Sequence, residues 1–276
     1  MILNLRYEHI LILGEEILTF NDNCNKQEIR VTYNGLHART CAHPTLFRSI
    51  SPSPKQIGKI YCLPFIRKGR YARTRMSVID CIQILALSYL LGSVPFGVLL
   101  AKLFRLPDPR YIGSGNIGAT NMLRTGRKDV AILTLLLDTG KGAAAVIIAD
   151  HLFHPAPAAL AFAALCAAVG HMYSPWLKFK GGKGMATLLG AGIAFAWPVG
   201  MSTLMVWVLV CYTTRYVSLA SITALALMPC VTWLRIDGTS ALVLAGACAI
   251  AIWRHRENIG RLRRGFEPRV NFGKRA

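Results

Sequence analysis

The fold is decided by the apolar run AALAFAALCAAV at residues 158–169, and similar runs lie on both sides of it. AILTLLL occupies residues 131–137, and ALVLAGACAIAI occupies residues 241–252. In a chain of 276 residues that is 53% apolar, such runs predict helices that lie in lipid. Because each helix satisfies its own backbone hydrogen bonds there, the sequence predicts an all-α integral membrane protein.

The apolar segments after Met76 predict about seven transmembrane helices. The longest stretch, residues 185–212, has 28 residues and exceeds the roughly 30 Å of hydrocarbon as one straight helix. Proline removes a backbone donor, so the Trp197-Pro198 step is predicted to divide this stretch into two helices. The other five predicted spans are 78–100, 131–148, 156–173, 219–234 and 241–253.

The formal charge of +19 is concentrated between the apolar segments. With seven spans, 18 of the 20 Lys and Arg residues after Met76 fall in segments on one side of the membrane. These segments are 101–130, 174–184, 213–218 and 254–276. The positive-inside rule makes that side cytoplasmic and places the C-terminus there. Since no basic segment is interleaved with aromatic residues, nucleic acid is not a predicted partner.

Residues 1–75 differ from the membrane-embedded unit, residues 76–276. They carry 12 Lys and Arg against 5 Asp and Glu, and they contain no apolar run long enough to span a bilayer or to act as a signal peptide. We interpret them as a disordered extension or a start-site artefact. Met76, immediately before the first span, is the predicted true initiator.

The eight cysteines form no CxxC pair and have no histidines at zinc spacing. They are therefore interpreted as small apolar residues and free thiols. No metal, cofactor or disulfide framework is predicted.

Three polar stretches carry the candidate chemistry, and the first is GSGNIGATN at residues 113–121, followed by Arg124. Its glycines allow a ligand to approach the backbone, Ser114 and Asn116 can donate to anionic oxygens, and Arg124 can bind a phosphate through two hydrogen bonds. A plain turn-rich loop would use the same small residues.

The second stretch is KFKGGKG, residues 178–184, directly before a predicted helix that begins at Met185. Successive glycine N–H groups at a helix N-terminus form an anion-binding nest, which the adjacent lysines reinforce. The spacing is not that of a P-loop. A positive-inside anchor would explain the lysines but not the three glycines, so phosphate binding is the preferred interpretation.

The third stretch, residues 253–267, follows the last span. On a helix His255, Asn258 and Arg261 share one face, because each is three residues from the next. Taken alone, this stretch resembles a basic tail on an anionic leaflet.

Among the polar residues within predicted spans, Asp138, Lys141 and His171 are candidates for the site. Asp138 and Lys141 are three residues apart on one helix, so they are expected to pair or to line the site. His171 lies near the end of the next span, where a structural hydrogen bond to a neighbouring helix is preferred over catalysis.

From about Met76 onward the chain resembles the bacterial acyl-phosphate:glycerol-3-phosphate acyltransferases of the PlsY type. The resemblance rests on motifs in one order over some 200 residues. These are GSVPFG (92–97), GSGNIGATN with Arg124, DTGKG (138–142), Gly170-His171 with FKGGKG, RYVSLAS (215–221) and WRHREN (253–258). It does not extend to residues 1–75.

The resemblance implies a seven-span protein of the bacterial inner membrane, with its active site at the cytoplasmic face and no required protein partner. It implies transfer of a fatty acyl group from acyl phosphate to glycerol 3-phosphate, giving 1-acyl-glycerol 3-phosphate and phosphate. This is the first acylation of phospholipid biosynthesis. The residues assigned to catalysis are Ser114, Arg124, Lys183, His255 and Asn258. The residues assigned to substrate phosphate are Gly115, Asn116, Asn121, Lys141, Lys180, Gly181, Gly182 and Gly184.

No Ser-His-Asp arrangement demands an acyl-enzyme, so direct attack of the glycerol hydroxyl on the acyl carbon is expected. Either a substrate phosphate or His255 takes the proton. The alternative functions are a transporter of an organic phosphate and a non-catalytic scaffold. The absence of inverted repeats and the placing of polar motifs at one face disfavour the first. A scaffold leaves GSGNIGATN and GGKG unexplained.

Overall fold

The structure is a computed structural model that describes residues 77–270 and the backbone of four short strands between residues 9 and 41. By contacts the chain divides into two compact units, Met1–Ala72 and Arg73–Ala276. The candidate chemistry of all three polar stretches belongs to the second unit.

The strands of the first unit form an antiparallel meander in the order β1-β2-β3-β4. They are β1 (His9–Leu13), β2 (Glu16–Asn21), β3 (Glu28–Tyr33) and β4 (Leu36–Cys41). Their β-branched and aromatic residues suit strands, and the Asn34-Gly35 step between β3 and β4 is a strong hairpin signal. These strands differ from the disordered extension that was one of the two expectations for residues 1–75, and the local hairpin signal explains that difference. That the segment is a start-site artefact stays a prediction.

The second unit is helical throughout residues 77–270, apart from its loops. The first five helices are α1 (Val78–Ser93), α2 (Phe96–Leu103), α3 (Ala119–Met122), α4 (Lys128–Phe153) and α5 (Pro157–Met172). The next five are α6 (Met185–Phe195), α7 (Trp197–Thr214), α8 (Val217–Arg235), α9 (Gly238–Arg254) and α10 (Arg256–Arg263). Short 3-10 turns occupy Pro109–Tyr111, Leu123–Thr125 and Pro175–Leu177.

Between residues 77 and 270, five helical segments are long and apolar enough to cross a membrane. They are Val78–Leu103, Lys128–Phe153, Pro157–Leu177, Trp197–Thr214 and Val217–Arg235. The helices α6 and α9 are apolar but shorter. These seven segments correspond to the seven predicted ones, and the all-α prediction is confirmed for this unit. How many of the seven cross the bilayer stays a prediction.

The predicted break in residues 185–212 is present at Ala196. Its backbone is extended, with φ −157° and ψ 112°, and it separates the end of α6 from the start of α7. Pro198 lies in the first turn of α7, where a helix needs no backbone donor. The 11 residues of α6 rise only about 16 Å, which is about half the thickness of the hydrocarbon layer.

Glycines let the membrane helices approach until their backbones touch. A methyl group on Gly92 of α1 would collide with a backbone carbonyl of α5, and one on Gly170 of α5 would collide with the backbone of α1. Gly142 of α4 and Gly190 of α6 meet each other's helix in the same way. Since lipid offers little hydrophobic driving force between helices, such close packing supplies much of their association energy.

A buried ion pair joins α4 to the break between α1 and α2. Lys141 Nζ lies 2.7 Å from Asp138 Oδ1, and both side chains are 3% exposed. The same ammonium donates to the carbonyl of Val94, 2.7 Å away, where α1 ends before Pro95. The predicted pairing of Asp138 with Lys141 is therefore present, and it ties three helices together.

Candidate active site

A cavity of about 540 Å³ lies where the three polar stretches meet. Its polar lining comes from the loop before α4, the residues before α6, and α10 with the tail that follows. Its apolar lining includes Leu135 of α4, Leu189 of α6, Leu204 and Trp207 of α7, and Val217 of α8. The same cavity therefore presents both cationic groups and an apolar surface.

Asn121 organises the first of these loops. Its Nδ2 donates to the carbonyls of Pro109 at 2.8 Å, Ile112 at 3.1 Å and Asn116 at 2.8 Å. Its Oδ1 accepts from the backbone N–H of Ser114 at 3.1 Å. The carboxamide is 2% exposed, and its donors are occupied by the loop's own carbonyls. Asn121 thus shapes the loop, in place of the phosphate contact assigned to it from sequence.

Ser114, Asn116 and Arg124 of this loop line the cavity. Gly113 adopts φ +53°, and any side chain there would run into Arg124, so the glycine leaves room for the guanidinium. Arg124 is exposed and reaches the cavity from the solvent side. Gly115, with φ +69°, turns the chain but does not line the cavity.

The glycine loop, residues 178–184, differs from the predicted nest. The N–H groups of Gly181 and Gly182 donate to the carbonyls of Met172 and His171, each at 3.1 Å. Those two amides are therefore committed to the loop's attachment to α5 and are not free to donate to a ligand. Of the three glycines only Gly184 lines the cavity, at φ +86° directly before α6.

Lys183 is the cation that the glycine loop delivers to the cavity. Its Nζ donates to Oδ1 of Asn258 on α10. Burial and the neighbouring charge of Arg261 lower the pKa of Lys183 to about 8, although Glu267 and Glu257 act in the opposite direction. At neutral pH the amine is still mostly charged and is suited to hold a phosphate.

His255 lies at the junction of α9 and α10 and is 3% exposed. Its Nδ1 is 2.8 Å from the carbonyl of Ala251, which can only accept, so Nδ1 carries the proton and Nε2 keeps its lone pair. Burial is the main cause that lowers the pKa of His255 to about 4, and the charge of Lys183 adds to it. The imidazole is neutral at pH 7 and presents one acceptor.

The tail after α10 folds back over the cavity, which the sequence did not predict. Glu267 accepts hydrogen bonds from Asn258 Nδ2 at 2.6 Å and from Arg261 Nε at 2.8 Å. Burial raises the pKa of Glu267, but these hydrogen bonds outweigh it and keep the carboxylate ionised. Arg269 donates to the Tyr216 hydroxyl at 2.9 Å and fastens the tail to the start of α8. A helical wheel cannot reveal this return of the chain.

The five residues assigned to catalysis from sequence all line this one cavity. Of those assigned to substrate phosphate, Asn116, Asn121 and Gly184 line it, whereas Gly115, Lys141, Lys180, Gly181 and Gly182 do not. Lys180 is exposed on the loop. The ammonium of Lys141 is held by Asp138 and the Val94 carbonyl, so we assign it to structure and not to phosphate binding.

Asp138 and His171 also line the cavity. Asp138, which was expected to pair with Lys141 or to line the site, does both. His171 was not assigned to the site. His171 Nδ1 is 3.6 Å from Asp138 Oδ1, too far for a hydrogen bond, and within residues 77–270 it has no hydrogen-bond partner. The expected structural hydrogen bond of His171 is thus absent there. A methyl group on Gly182 would run into the His171 ring, so this glycine leaves room for the imidazole.

Comparison with known proteins identifies the group to which this site belongs. The sequence model of the glycerol-3-phosphate acyltransferases matches residues 82–265. The chain belongs to the glycerol-3-phosphate acyltransferase family. The match takes in all three polar stretches up to Gly265, and the family resemblance noted from the sequence is confirmed.

Individual members of the family are similar over the same region. The glycerol-3-phosphate acyltransferase of Rhodospirillum rubrum is 50% identical over 194 residues, which cover 68% of this chain and 90% of the relative. The crystal structure of PlsY (YgiH), an integral membrane glycerol 3-phosphate acyltransferase, in its glycerol 3-phosphate form has a TM-score of 0.66 and 38% identity. The alignment covers 70% of this chain and 96% of that one. Its lysophosphatidic acid form gives a TM-score of 0.65 at the same identity and coverage. The prediction of an integral membrane fold is confirmed.

Proposed function

We propose that the chain transfers a fatty acyl group from acyl phosphate to glycerol 3-phosphate, giving 1-acyl-glycerol 3-phosphate and inorganic phosphate. The observation that carries the proposal is the single cavity lined by Arg124 and Lys183 on its polar part and by apolar side chains of four helices elsewhere. Both substrates carry a phosphate, and one carries a long acyl chain. Membership of the family supports glycerol 3-phosphate as the acceptor.

The reaction needs orientation and charge neutralisation more than a strong base. The primary hydroxyl oxygen of glycerol 3-phosphate attacks the acyl carbonyl carbon, and the bond from that carbon to the phosphate oxygen breaks. The leaving phosphate accepts the hydroxyl proton, so charge and atoms balance. Ser114, Arg124 and Lys183 hold the two phosphates near each other. The two cations offset the repulsion between the negatively charged phosphates.

His255 and Asn258 complete the site in supporting roles. The Nε2 lone pair of His255 accepts a hydrogen bond from the attacking hydroxyl and orients it. A pKa of about 4 makes the imidazole a weak base at neutral pH, which favours a substrate phosphate as the proton acceptor. Asn258 joins Lys183 to Glu267 through its two amide atoms and so fixes where the ammonium stands.

We infer the bacterial inner membrane as the location, with the cavity and the C-terminus on the cytoplasmic side. The basis is the concentration of Lys and Arg in the segments that contain the three polar stretches. A reporter that is active only in the cytoplasm should give a signal when it is fused to the C-terminus. A signal from a reporter that is active only in the periplasm would contradict the proposed orientation.

One reconstitution tests the activity. Purified full-length protein in detergent or vesicles is mixed with acyl phosphate and radiolabelled glycerol 3-phosphate, and lipid extracts are examined for labelled lysophosphatidate. Parallel reactions with acyl-coenzyme A and with acylated carrier protein identify the donor. Product from acyl phosphate alone supports the proposal. Product only from another donor overturns the donor assignment, and passage of label into sealed vesicles without new lipid indicates transport instead.

A further inference from the structure

Arg254, the last residue of α9, grips the backbone of the glycine loop. Its Nη2 donates to the carbonyl of Gly181 at 2.8 Å, and its Nε donates to the carbonyl of Gly182 at 3.2 Å. The guanidinium also lies 5.4 Å from the centre of the Tyr173 ring, beyond the end of α5. Among side chains, only guanidinium presents donors in a rigid plane that can hold two neighbouring carbonyls while it stacks on a ring.

The same two glycines are held from their other side by α5. Their N–H groups donate to the carbonyls of Met172 and His171, each at 3.1 Å. Each glycine therefore has its amide fixed by α5 and its carbonyl fixed by Arg254. This stretch of the loop has little freedom to rotate while both sets of bonds are made.

Lys183 follows these glycines directly, and His255 follows Arg254 directly. Two contacts therefore cross the same junction, one from Arg254 to the loop and one from Lys183 to Asn258. A rotation of the backbone at Gly182 would move the Lys183 side chain away from both Asn258 and the cavity.

We propose that Arg254 is a positioning residue for acyl transfer, which fixes the backbone of Gly181 and Gly182 and so aims Lys183 into the cavity. Arg254 does not line the cavity, so it acts through Lys183 and not on the substrate. The proposal rests on the proposed function for its kinetic assay, and a binding assay keeps the two separable.

The positive charge of Arg254 has an effect on the pH dependence of activity that a purely structural residue would not have. The charged groups that act on Lys183 are Arg254 on α9, Glu257 and Arg261 on α10, and Glu267 on the tail. After burial and Arg261, Arg254 is a further cause that lowers the pKa of Lys183 to about 8. Without this cation the pKa of Lys183 rises, so the loss of activity at alkaline pH should begin at a higher pH.

The test compares Arg254→Gln and Arg254→Lys in the full chain. In Arg254→Gln the KM for glycerol 3-phosphate should rise at least about tenfold at pH 7, and the alkaline limb of kcat/KM should move to higher pH. In Arg254→Lys the charge remains, so the limb should stay near its wild-type position. A lysine ammonium cannot hold both carbonyls in one plane as a guanidinium does. The KM of Arg254→Lys should therefore lie between the KM of the wild type and that of Arg254→Gln.

Arg256→Gln is the matched control, since Arg256 is exposed, stacks on Trp253 and belongs to the same junction without touching the loop. It should behave as wild type. Wild-type KM and pH profile in folded Arg254→Gln overturn the proposal. If that variant does not fold, Arg254→Lys decides: wild-type kinetics overturn the proposal, and a raised KM supports it.

Thermal stabilisation by glycerol 3-phosphate provides the binding measurement without turnover. A wild-type protein that binds but makes no lipid contradicts the proposed function alone, and weaker stabilisation of both Arg254 variants still supports positioning. A wild-type protein that neither binds nor turns over contradicts both proposals.

Discussion

The site depends on two cations that differ in their exposure to solvent. Arg124 is exposed at the cavity edge, whereas Lys183 is partly buried and joined to Asn258. Arg124→Ala and Lys183→Ala should each remove most activity, because each leaves substrate charge without its partner. For the partly buried Lys183, loss of a desolvated charge partner costs about 2–5 kcal/mol, which is more than tenfold in rate or affinity.

Steady-state kinetics on purified variants check this, with membrane insertion measured by fractionation as the control. Both variants should insert as wild type does, since neither side chain packs a helix interface. Near-wild-type kinetics in both would remove these residues from the site.

His255 is the other residue whose role has a kinetic signature. Since burial lowers its pKa to about 4, the wild-type pH-rate profile should show no ionisation of His255 near neutrality. His255→Gln should lower the rate by about tenfold at every pH, as expected for the loss of one hydrogen bond. A loss of a hundredfold or more, together with the loss of an ionisation near neutrality, would instead identify His255 as the general base.

The lowered pKa of His255 also makes the stability of the folded protein depend on pH. Unfolded His255 binds a proton near its ordinary pKa of 6.5, whereas the folded form does so only near 4. The stabilising contribution of the neutral imidazole is present above pH 6.5 and is lost as the pH falls toward 4.

At the scale of the elements, the glycine loop is the part most sensitive to added volume. A methyl group on Gly182 would run into the ring of His171, so Gly182→Ala should displace the loop and raise the KM for a phosphate-bearing substrate by about tenfold, or 1.4 kcal/mol. Gly140→Ala is the matched control, because a methyl group there meets nothing within 4 Å. Equal kinetics in both variants, or a fall in kcat alone for Gly182→Ala, would contradict this role.

In the buried pair of α4, Lys141 should matter for stability and not for substrate binding. Lys141→Met leaves Asp138 without its partner and the Val94 carbonyl without this donor, and breaking such a pair costs about 3–5 kcal/mol. Thermal unfolding in detergent should show a clear drop, and the double variant Asp138→Asn/Lys141→Met should recover part of it. An unchanged unfolding temperature in the single variant would contradict the structural role.

The features that could be predicted from the sequence are those that depend on residues close together in the chain. Apolar runs, the Trp197-Pro198 break and the pairing of Asp138 with Lys141 depend on neighbours along one helix, and all three are present in the structure. The commitment of the Gly181 and Gly182 amides to α5 depends on a contact between separate segments. So does the return of Glu267 to Asn258, and one sequence does not encode such contacts in a readable pattern.

At the scale of the whole molecule, the family match begins at residue 82, after the first unit. We expect a shortened chain that begins at Met76 to insert and to turn over as the full chain does. The family model matches residues 82–265, so the shortened chain keeps the whole matched region.

Reconstituted activity of the two chains, measured side by side, checks this expectation. Mass spectrometry of the native protein should find an N-terminal peptide that starts at Met76 or Ser77. Native peptides from within residues 1–70 would contradict the start-site interpretation, and lost activity in the shortened chain would show that the first unit contributes.

The glycine contacts between α1 and α5 and between α4 and α6 bear on how this protein can change over time. At Gly92, Gly170, Gly142 and Gly190 the facing backbone leaves no volume for a larger side chain, and no neighbouring side chain can yield to make room. A compensating second substitution is therefore unavailable, since backbone cannot be replaced. These four glycines should therefore stay unchanged during evolution, whereas the lipid-facing residues around them can be substituted. The geometry of the helix bundle is preserved because no neutral substitution is open to the glycines at its contacts.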